Sequence, residues 1–447
     1  MRLLFWGQMI SNRIAIFTLI VSWIFNGSQG FNFSGYRSLR APIHSTSLTS
    51  YKSMSSDVLQ SDTEEKVIVC GGGIHGASIA YYLTLKGIKP TVIERTQVAA
   101  AASGKSGGFL ARDWGDGGVT EPLHQLSYQL HAELAETLGI DSYRTLPTLN
   151  VNGRRKGKNL ASWLDGKASS SLMDTNTAQV TPLELTEKLM AKAVENGATV
   201  RIGAVEGIES EEVEGRQSRH VTAVKVDGEL VESDKVVIAM GPWSVVAEDW
   251  FGFPVPIEGI KSTSIVYQGC QPVVEEPFAC FCAEDGNGCH LEIYPRPNGE
   301  VYICGIGGSD YVRGDRLREG GDCQDASVIA ADPSRVAAAS KSFGGLSSSL
   351  GSKPPDVVQA CMRPCPQDSL PMMGSIPDFD NAFMSAGHNC WGILWAPISG
   401  LAMSELIAEG KSSTVDLSPF RPGRFMKKDR MKKRGRHYQD LSVGEQW

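Results

Sequence analysis

The chain has 447 residues, enough for two or three domains, and its 41% hydrophobic and 21% charged content is that of a soluble globular enzyme. A net charge of −7 argues against a general nucleic-acid binder. The 10 cysteines are irregularly spaced, which argues against a disulfide framework, and Cys280, Cys282 and Cys289 fit no zinc pattern. They read as free, mostly buried thiols.

Residues 1–30 have the pattern of a signal peptide. Arg2 and Arg13 are basic, and no acid precedes Asp57. The apolar run 14–25 is too short to span a bilayer, and Ser28-Gln29-Gly30 offers a cleavage site. Residues 31–61 form a transit-peptide-like linker, Ser-rich with Arg37, Arg40 and Lys52. The pair, with Phe31 at the junction, resembles the bipartite presequence of algae with complex plastids. Plastid import is therefore expected, with the secretory pathway as the alternative. The mature protein is expected to start near Asp62, with no stable membrane span.

The strongest signal is KVIVCGGGIHGASIAYYLTLKGIKPTVIE, residues 66–94. A buried strand is expected over 66–69, a helix over 77–86 and a second strand over 90–93. Gly71, Gly73 and Gly76 satisfy G-x-G-x-x-G between the first strand and the helix. Gly71 permits the tight turn, Gly73 lets the backbone approach a pyrophosphate, and Gly76 lets helix and strand pack closely. The helix N-terminus attracts the phosphates. Glu94 lies about 18 residues beyond Gly76, where an acid accepts hydrogen bonds from ribose hydroxyls. A glycine-rich turn with no ligand leaves Glu94 without a purpose. The unit therefore reads as a dinucleotide site.

Residues 99–114, AAAASGKSGGFLARDW, are small enough to run beside a flat cofactor, and Ser103, Lys105 and Ser106 bring donors. A helix over 123–138 places Leu123, Leu126, Leu130, Leu134 and Leu138 on one face. Residues 150–174 read as polar and irregular. Thr181 and Pro182 open a helix that Gly197 stops. Strands are expected over 200–202 and 221–226, around an acidic loop at 209–214. A buried strand over 235–239 ends in Met240-Gly241-Pro242-Trp243. Residues 257–267 and 289–304 are strands of an antiparallel sheet, the latter a hairpin turned at Pro297-Asn298-Gly299. Residues 361–374 precede a strand over 382–386, and a helix begins near Ile393 or Pro397. A glycine-rich strand-to-helix turn presents backbone N–H groups and a positive dipole end. The tail over 426–447 is basic, as in a solvated segment.

Six stretches together resemble one family. They are VCGGGIHGASIAYYL, IERTQVAAAASGKSGGFLARDW, TAQVTP, VVIAMGPWS, YPRPNGEVYICG and GHNCWGILWAPISGLAMSELI. The region from Lys66 to about Phe425 looks like the D-amino-acid-oxidase-like family of FAD-dependent oxidoreductases, which includes glycine oxidase and sarcosine oxidase. It looks closest to the plant and fungal members. The resemblance implies an α/β fold, a Rossmann-like FAD-binding domain interleaved with an α+β substrate domain built on an antiparallel sheet. FAD-binding parts are expected at 62–150, 178–256 and 356–425, and substrate-domain parts at 151–177 and 257–355.

The resemblance also implies site residues. Gly71, Gly73, Ile74, His75, Gly76, Glu94 and Arg95 fall in the nucleotide-binding unit. Ser103, Gly104, Lys105, Ser106, Gly107 and Gly108 match the loop that passes the pyrophosphate, ribityl chain and ring. Gly241 matches the turn after the returning strand. Gly392, Ile393 and Leu394 match the amides that meet the flavin N1–C2=O edge, where a helix N-terminus stabilises negative charge. Arg363, in R-P-x-x-x-D-x-x-P-x-x-G, matches an arginine that clamps a substrate carboxylate; a surface ion-pair arginine is the alternative. A second glycine-oxidase arginine falls near Cys390 and is absent. Tyr294 and Arg296 are pocket candidates, and His388 is placed to approach the flavin edge. Cys361 aligns with the cysteine that holds FAD covalently in sarcosine oxidase, the alternative being a small buried residue beside noncovalent FAD.

The implied reaction is oxidation of a C–N bond in a small amine or amino acid, with hydride passing to flavin N5 and electrons to oxygen or another acceptor. An NAD(P)-linked enzyme and a non-enzymatic FAD-stabilised assembly or trafficking factor are the alternatives.

Overall fold

Val67–Cys70, apolar and buried on both faces, lies inside a six-stranded sheet. In the computed structural model, residues 65–115 and 117–426 are described. The expected presequence over 1–61 and the basic tail beyond Met426 lie outside the described residues. Thr91–Glu94 and Thr199–Ile202 extend the sheet to one side of Val67–Cys70. Lys235–Ile238, Ala382–Ala386 and Met372–Ser375 extend it to the other. Only the last pairing is antiparallel. The strand order reverses direction at Val67–Cys70, which makes a switch point at its carboxyl end, where open α/β sheets bind ligands.

Helix Ile74–Leu85 starts before the expected residue 77, directly after Gly73 as its N-cap. Gly71 takes φ of +111°, while Gly73 is extended and caps the helix. A Cβ on Gly76 would sit 1.9 Å from the Gly71 carbonyl oxygen, so only glycine packs there.

A second, eight-stranded sheet runs in the order Asp310–Val312, Ile257–Tyr267, Val301–Cys304, Glu292–Pro295, Ala279–Cys282, Thr148–Asn152, Ser169–Asp174. Val357–Pro366 pairs along the length of Ile257–Tyr267. Two expectations change here. Residues 150–174 are not irregular throughout: Thr148–Asn152 and Ser169–Asp174 pair as strands, with Asn150, Asn152, Ser171, Leu172 and Met173 exposed. Arg363 lies on a strand, which Pro364 and Pro366 disguise. The strand's one partner among the described residues is Ile257–Tyr267, and sheet edges tolerate proline. The acidic run also belongs largely to a strand, Val205–Glu212, whose open face is exposed.

Helix Gly392–Glu409 packs against Ile74–Leu85 and Glu121–Leu138. The span 389–409 is long and apolar enough to cross a membrane, but it is mostly buried in the core. A Cβ on Gly400 would lie 2.1 Å from Ser78 Oγ, and that hydroxyl donates to the Ala396 carbonyl at 2.9 Å. Pro397 sits inside this helix and has no N–H for the Ile393 carbonyl. Helix Glu121–Leu138 repairs the defect. His131 Nε2 lies 3.1 Å from the carbonyl oxygens of both Ile393 and Leu394, and Ile398 N–H donates to Ser127 Oγ at 3.2 Å. The expected leucine stripe is accordingly displaced. Leu123, Ser127, His131 and Leu134 form the buried side, and Leu126, Leu130 and Leu138 are only partly buried.

Burial pushes the His131 imidazole down to about 4, with the two backbone bonds opposing it. Between its ordinary value of 6.5 and that value, the unfolded chain binds a proton that the folded chain refuses. Stability therefore falls as pH falls through this window. His131→Leu is expected to cost about 1–3 kcal/mol at neutral pH, from carbonyls left without a donor. Denaturant unfolding checks both points, because the variant should also lose less stability on acidification.

Candidate active site

The start of helix Ile74–Leu85, several loops, the start of helix Gly392–Glu409 and one face of the second sheet surround a cavity of about 260 Å³. The nucleotide-binding turn approaches from one side. Gly72 N–H donates to Glu94 Oε2 at 2.8 Å, and Thr96 N–H to Glu94 Oε1 at 3.1 Å. Glu94 thus has a purpose within the protein, holding the turn, contrary to the sequence-based expectation. Ile74 N–H donates to Ser103 Oγ at 2.8 Å, which ties the helix start to the following loop.

In that loop Ser103, Ser106, Gly107 and Gly108 line the cavity. Gly107 faces the second sheet, where a Cβ would lie 2.6 Å from the Tyr294 ring. Gly104 and Lys105 brace the loop instead. A Cβ on Gly104 would meet the Ala99 carbonyl oxygen at 2.3 Å, and the Lys105 carbonyl accepts from Gln359 Nε2 at 2.9 Å. Arg95 extends to the Gln324 carbonyl at 3.4 Å and lies 3.7 Å from Asp325 Oδ2. Gly241, with φ of +55°, borders the cavity with nothing within 4 Å of a Cβ position.

The helix start closes another side. Gly387 and Asn389 take φ of +77° and +49° to turn strand Ala382–Ala386 into the helix. Gly392 and Ile393 line the cavity. Leu394 is buried behind them, its carbonyl engaged by His131. The first turn has no acid to cancel its partial positive charge. His388 stacks on His75 at 3.5 Å and 17°, and its Nε2 lies 3.2 Å from Ser399 Oγ. Burial pushes His75 down to about 3, with the Gly392 backbone opposing. Burial and then His75 push His388 well below its ordinary value. Both rings are therefore neutral at pH 7.

The sheet face supplies the opposite wall. Tyr294 stacks on Phe109 at 5.3 Å and 10°, with Trp114 and Phe281 around them. Tyr294 Oη donates to Glu292. Arg296 is nearly buried but turns to Glu300, 2.8 Å away, and over the Tyr302 ring. Arg363 lines the cavity. Burial opposes its charge, but Cys390, Cys365, Glu292 and Cys361 together hold its pKa up. Cys361 lines the cavity too, but burial pushes its thiol up to about 11, and Arg363 and Lys105 only partly offset this.

Sequence reasoning passed over Glu292, Tyr302, Cys304 and the Phe109–Trp114–Phe281 aromatic group, all of which line the cavity. Glu292 was legible in principle, since residues two apart on a strand share a face and Tyr294 had been singled out.

A flat heteroaromatic ring bearing polar edges fits these surroundings. Ser106 Oγ and His388 Nδ1 are buried at the cavity without a protein partner, and space stands open at Gly241. A backbone-lined turn leads away to the switch point, where an extended dinucleotide binds. The FAD dependent oxidoreductase family model matches residues 66–406. A putative oxidoreductase of Schizosaccharomyces pombe is 26% identical over 392 residues, covering 78% of this chain and 96% of that protein. Glycine oxidase of Pseudomonas aeruginosa is 24% identical, covering 80% and 98%. Among solved structures, glycine oxidase from Geobacillus kaustophilus shares the fold with a TM-score of 0.64 at 21% identity, over 80% of this chain and 99% of that one. A ring-sized cavity beside a dinucleotide turn, within a family match spanning most of the chain, leads to one conclusion: the chain belongs to the FAD dependent oxidoreductase family, and its cofactor is FAD.

Proposed function

We propose that the chain oxidises the C–N bond of a small amino acid and passes the electrons to oxygen or another acceptor. The observation that carries this reading is Arg363, a guanidinium-bearing residue on the wall of the cavity that the aromatic group also lines. Its planar fork matches a carboxylate bidentately. Glycine oxidases among the relatives, and an L-amino acid deaminase from Proteus myxofaciens of the same fold, with a TM-score of 0.66 at 17% identity over 84% of this chain and 96% of that one, are in keeping with it.

FAD supplies the hydride-accepting ring. Arg363 would orient the substrate carboxylate, and so the adjacent carbon, toward that ring. Phe109, Trp114, Phe281 and Tyr294 exclude water from the bond to be broken. The amides at Gly392 and Ile393 stand ready for the negative charge that reduction brings. Neutral His75 and His388 add no competing cation.

Gly71, Gly73 and Gly76 would hold the pyrophosphate end. Because the Cys361 thiol is held protonated, noncovalent FAD is the expected state. Acid precipitation should release the flavin wholly to the supernatant. Yellow colour retained in the pellet, and lost from it in Cys361→Ser, contradicts this. The proposed reaction is tested by product analysis. Equimolar 2-oxo acid and ammonia from a primary amino acid are expected. Equal turnover of amines that lack a carboxylate overturns the role of Arg363.

A further inference from the structure

Among the described residues that line the cavity, Glu292 is the only carboxylate and Arg363 the only arginine or lysine. They come from different strands of one sheet. Glu292 is on Glu292–Pro295 and Arg363 on Val357–Pro366, with Val301–Cys304 and Ile257–Tyr267 between them. The Glu292 charge reaches Arg363, yet no ion pair joins the two among the described residues. The other groups acting on Arg363 are thiols. Burial pushes Cys361 and Cys390 up to about 11 and Cys365 up to about 12, so they are neutral at pH 7. Glu292 is thus the anion that answers the Arg363 cation.

The Glu292 carboxylate is also oriented. Tyr294 Oη donates to its Oε2, and Cys304 Sγ lies 3.5 Å from the same oxygen. Both interactions end on Oε2 and leave Oε1 out. Tyr294 is itself fixed by its stack on Phe109.

A cavity with one cation and one oriented anion, not paired with each other, is complementary to a zwitterion. Resting on the reading above, we infer that Glu292 binds the substrate ammonium while Arg363 binds the carboxylate, so that the substrate class is free α-amino acids. Simple amines lack the group for Arg363, and carboxylic acids lack the group for Glu292. A peptide-bonded amino acid lacks one or both. The aromatic group beside Glu292 favours a compact or apolar side chain.

The test uses the FAD-loaded full chain and reads the shift of the flavin absorbance on ligand binding under anaerobic conditions. The probes are glycine against acetate, D- and L-alanine against propanoate, and D- and L-phenylalanine against 3-phenylpropanoate. Glu292→Gln keeps an acceptor for Tyr294 and removes the charge, and an unchanged flavin content reports that it folds. The expected result is a dissociation constant about 10- to 100-fold higher for the amino acids, with the amine-free acids unchanged. Arg363→Ala, in contrast, weakens both members of each pair. Amino-acid binding unchanged in Glu292→Gln, or equal weakening of the amine-free acids, overturns the role of Glu292 while leaving Arg363 as the carboxylate site. No response of the wild-type protein to any amino acid overturns the substrate reading and this inference with it.

Discussion

Arg363→Ala is expected to raise the half-saturating concentration of an amino-acid substrate by roughly 30-fold to several thousand-fold, equivalent to about 2–5 kcal/mol. The size of the effect follows from enclosure. A carboxylate brought into this cavity leaves water, and without the guanidinium no arginine or lysine lines the cavity to answer its charge, while Glu292 repels it. Arg363→Lys should also be impaired, since a point ammonium cannot make the forked contact. Steady-state kinetics on both variants check this. Flavin content should be normal in each, because the guanidinium belongs to the substrate side of the cavity. An alanine variant with unchanged half-saturation would point to an amine without a carboxylate.

Gly73→Val is expected to abolish FAD binding while leaving the fold intact. The structure makes this position more informative than its neighbours. A side chain on Gly71 would be strained at φ of +111° and would strike the Ala239 carbonyl oxygen at 2.5 Å. One on Gly76 would strike the Gly71 carbonyl oxygen at 1.9 Å. Variants at those two sites fail for internal reasons. Gly73 has an ordinary φ of −76°, and a Cβ there meets only Ser103 Oγ, at 3.1 Å. What a valine excludes is the close approach of a pyrophosphate to the backbone. The expected outcome is a colourless protein whose far-UV circular dichroism is close to wild type. A folded Gly73→Val protein with full flavin content would place the pyrophosphate elsewhere.

The dinucleotide unit was legible in the sequence because its constraints are local. A strand, a turn, a helix and an acid lie within 66–94, and each has a residue-level reason. Even there one inference failed. Glu94 looked purposeless without a ligand, but its carboxylate holds the Gly72 and Thr96 amides. The substrate face was less legible because it depends on pairing between distant strands. Arg363 reaches the cavity only because Val357–Pro366 pairs along Ile257–Tyr267, and two prolines hid that strand. Glu292 looked like an ordinary polar residue on an alternating strand until the opposite wall was known. The helix 121–138 shows the same limit. Its leucines suggested one buried stripe, whereas His131 and Ser127 turn inward to answer a proline far along the chain. Nothing in their local sequence carries that requirement.

Oxidation of an amino acid by this flavoprotein is tested by anaerobic reduction of the purified FAD-loaded chain. A panel of amino acids and of amines without carboxylates is mixed with the protein, and the flavin band near 450 nm is followed. Bleaching is expected from at least one free α-amino acid, slowed or lost in Arg363→Ala, and none from the corresponding amines. A flavin that no member of the panel bleaches would contradict the account, and would favour a protein that holds FAD as a structural element of an assembly or trafficking factor.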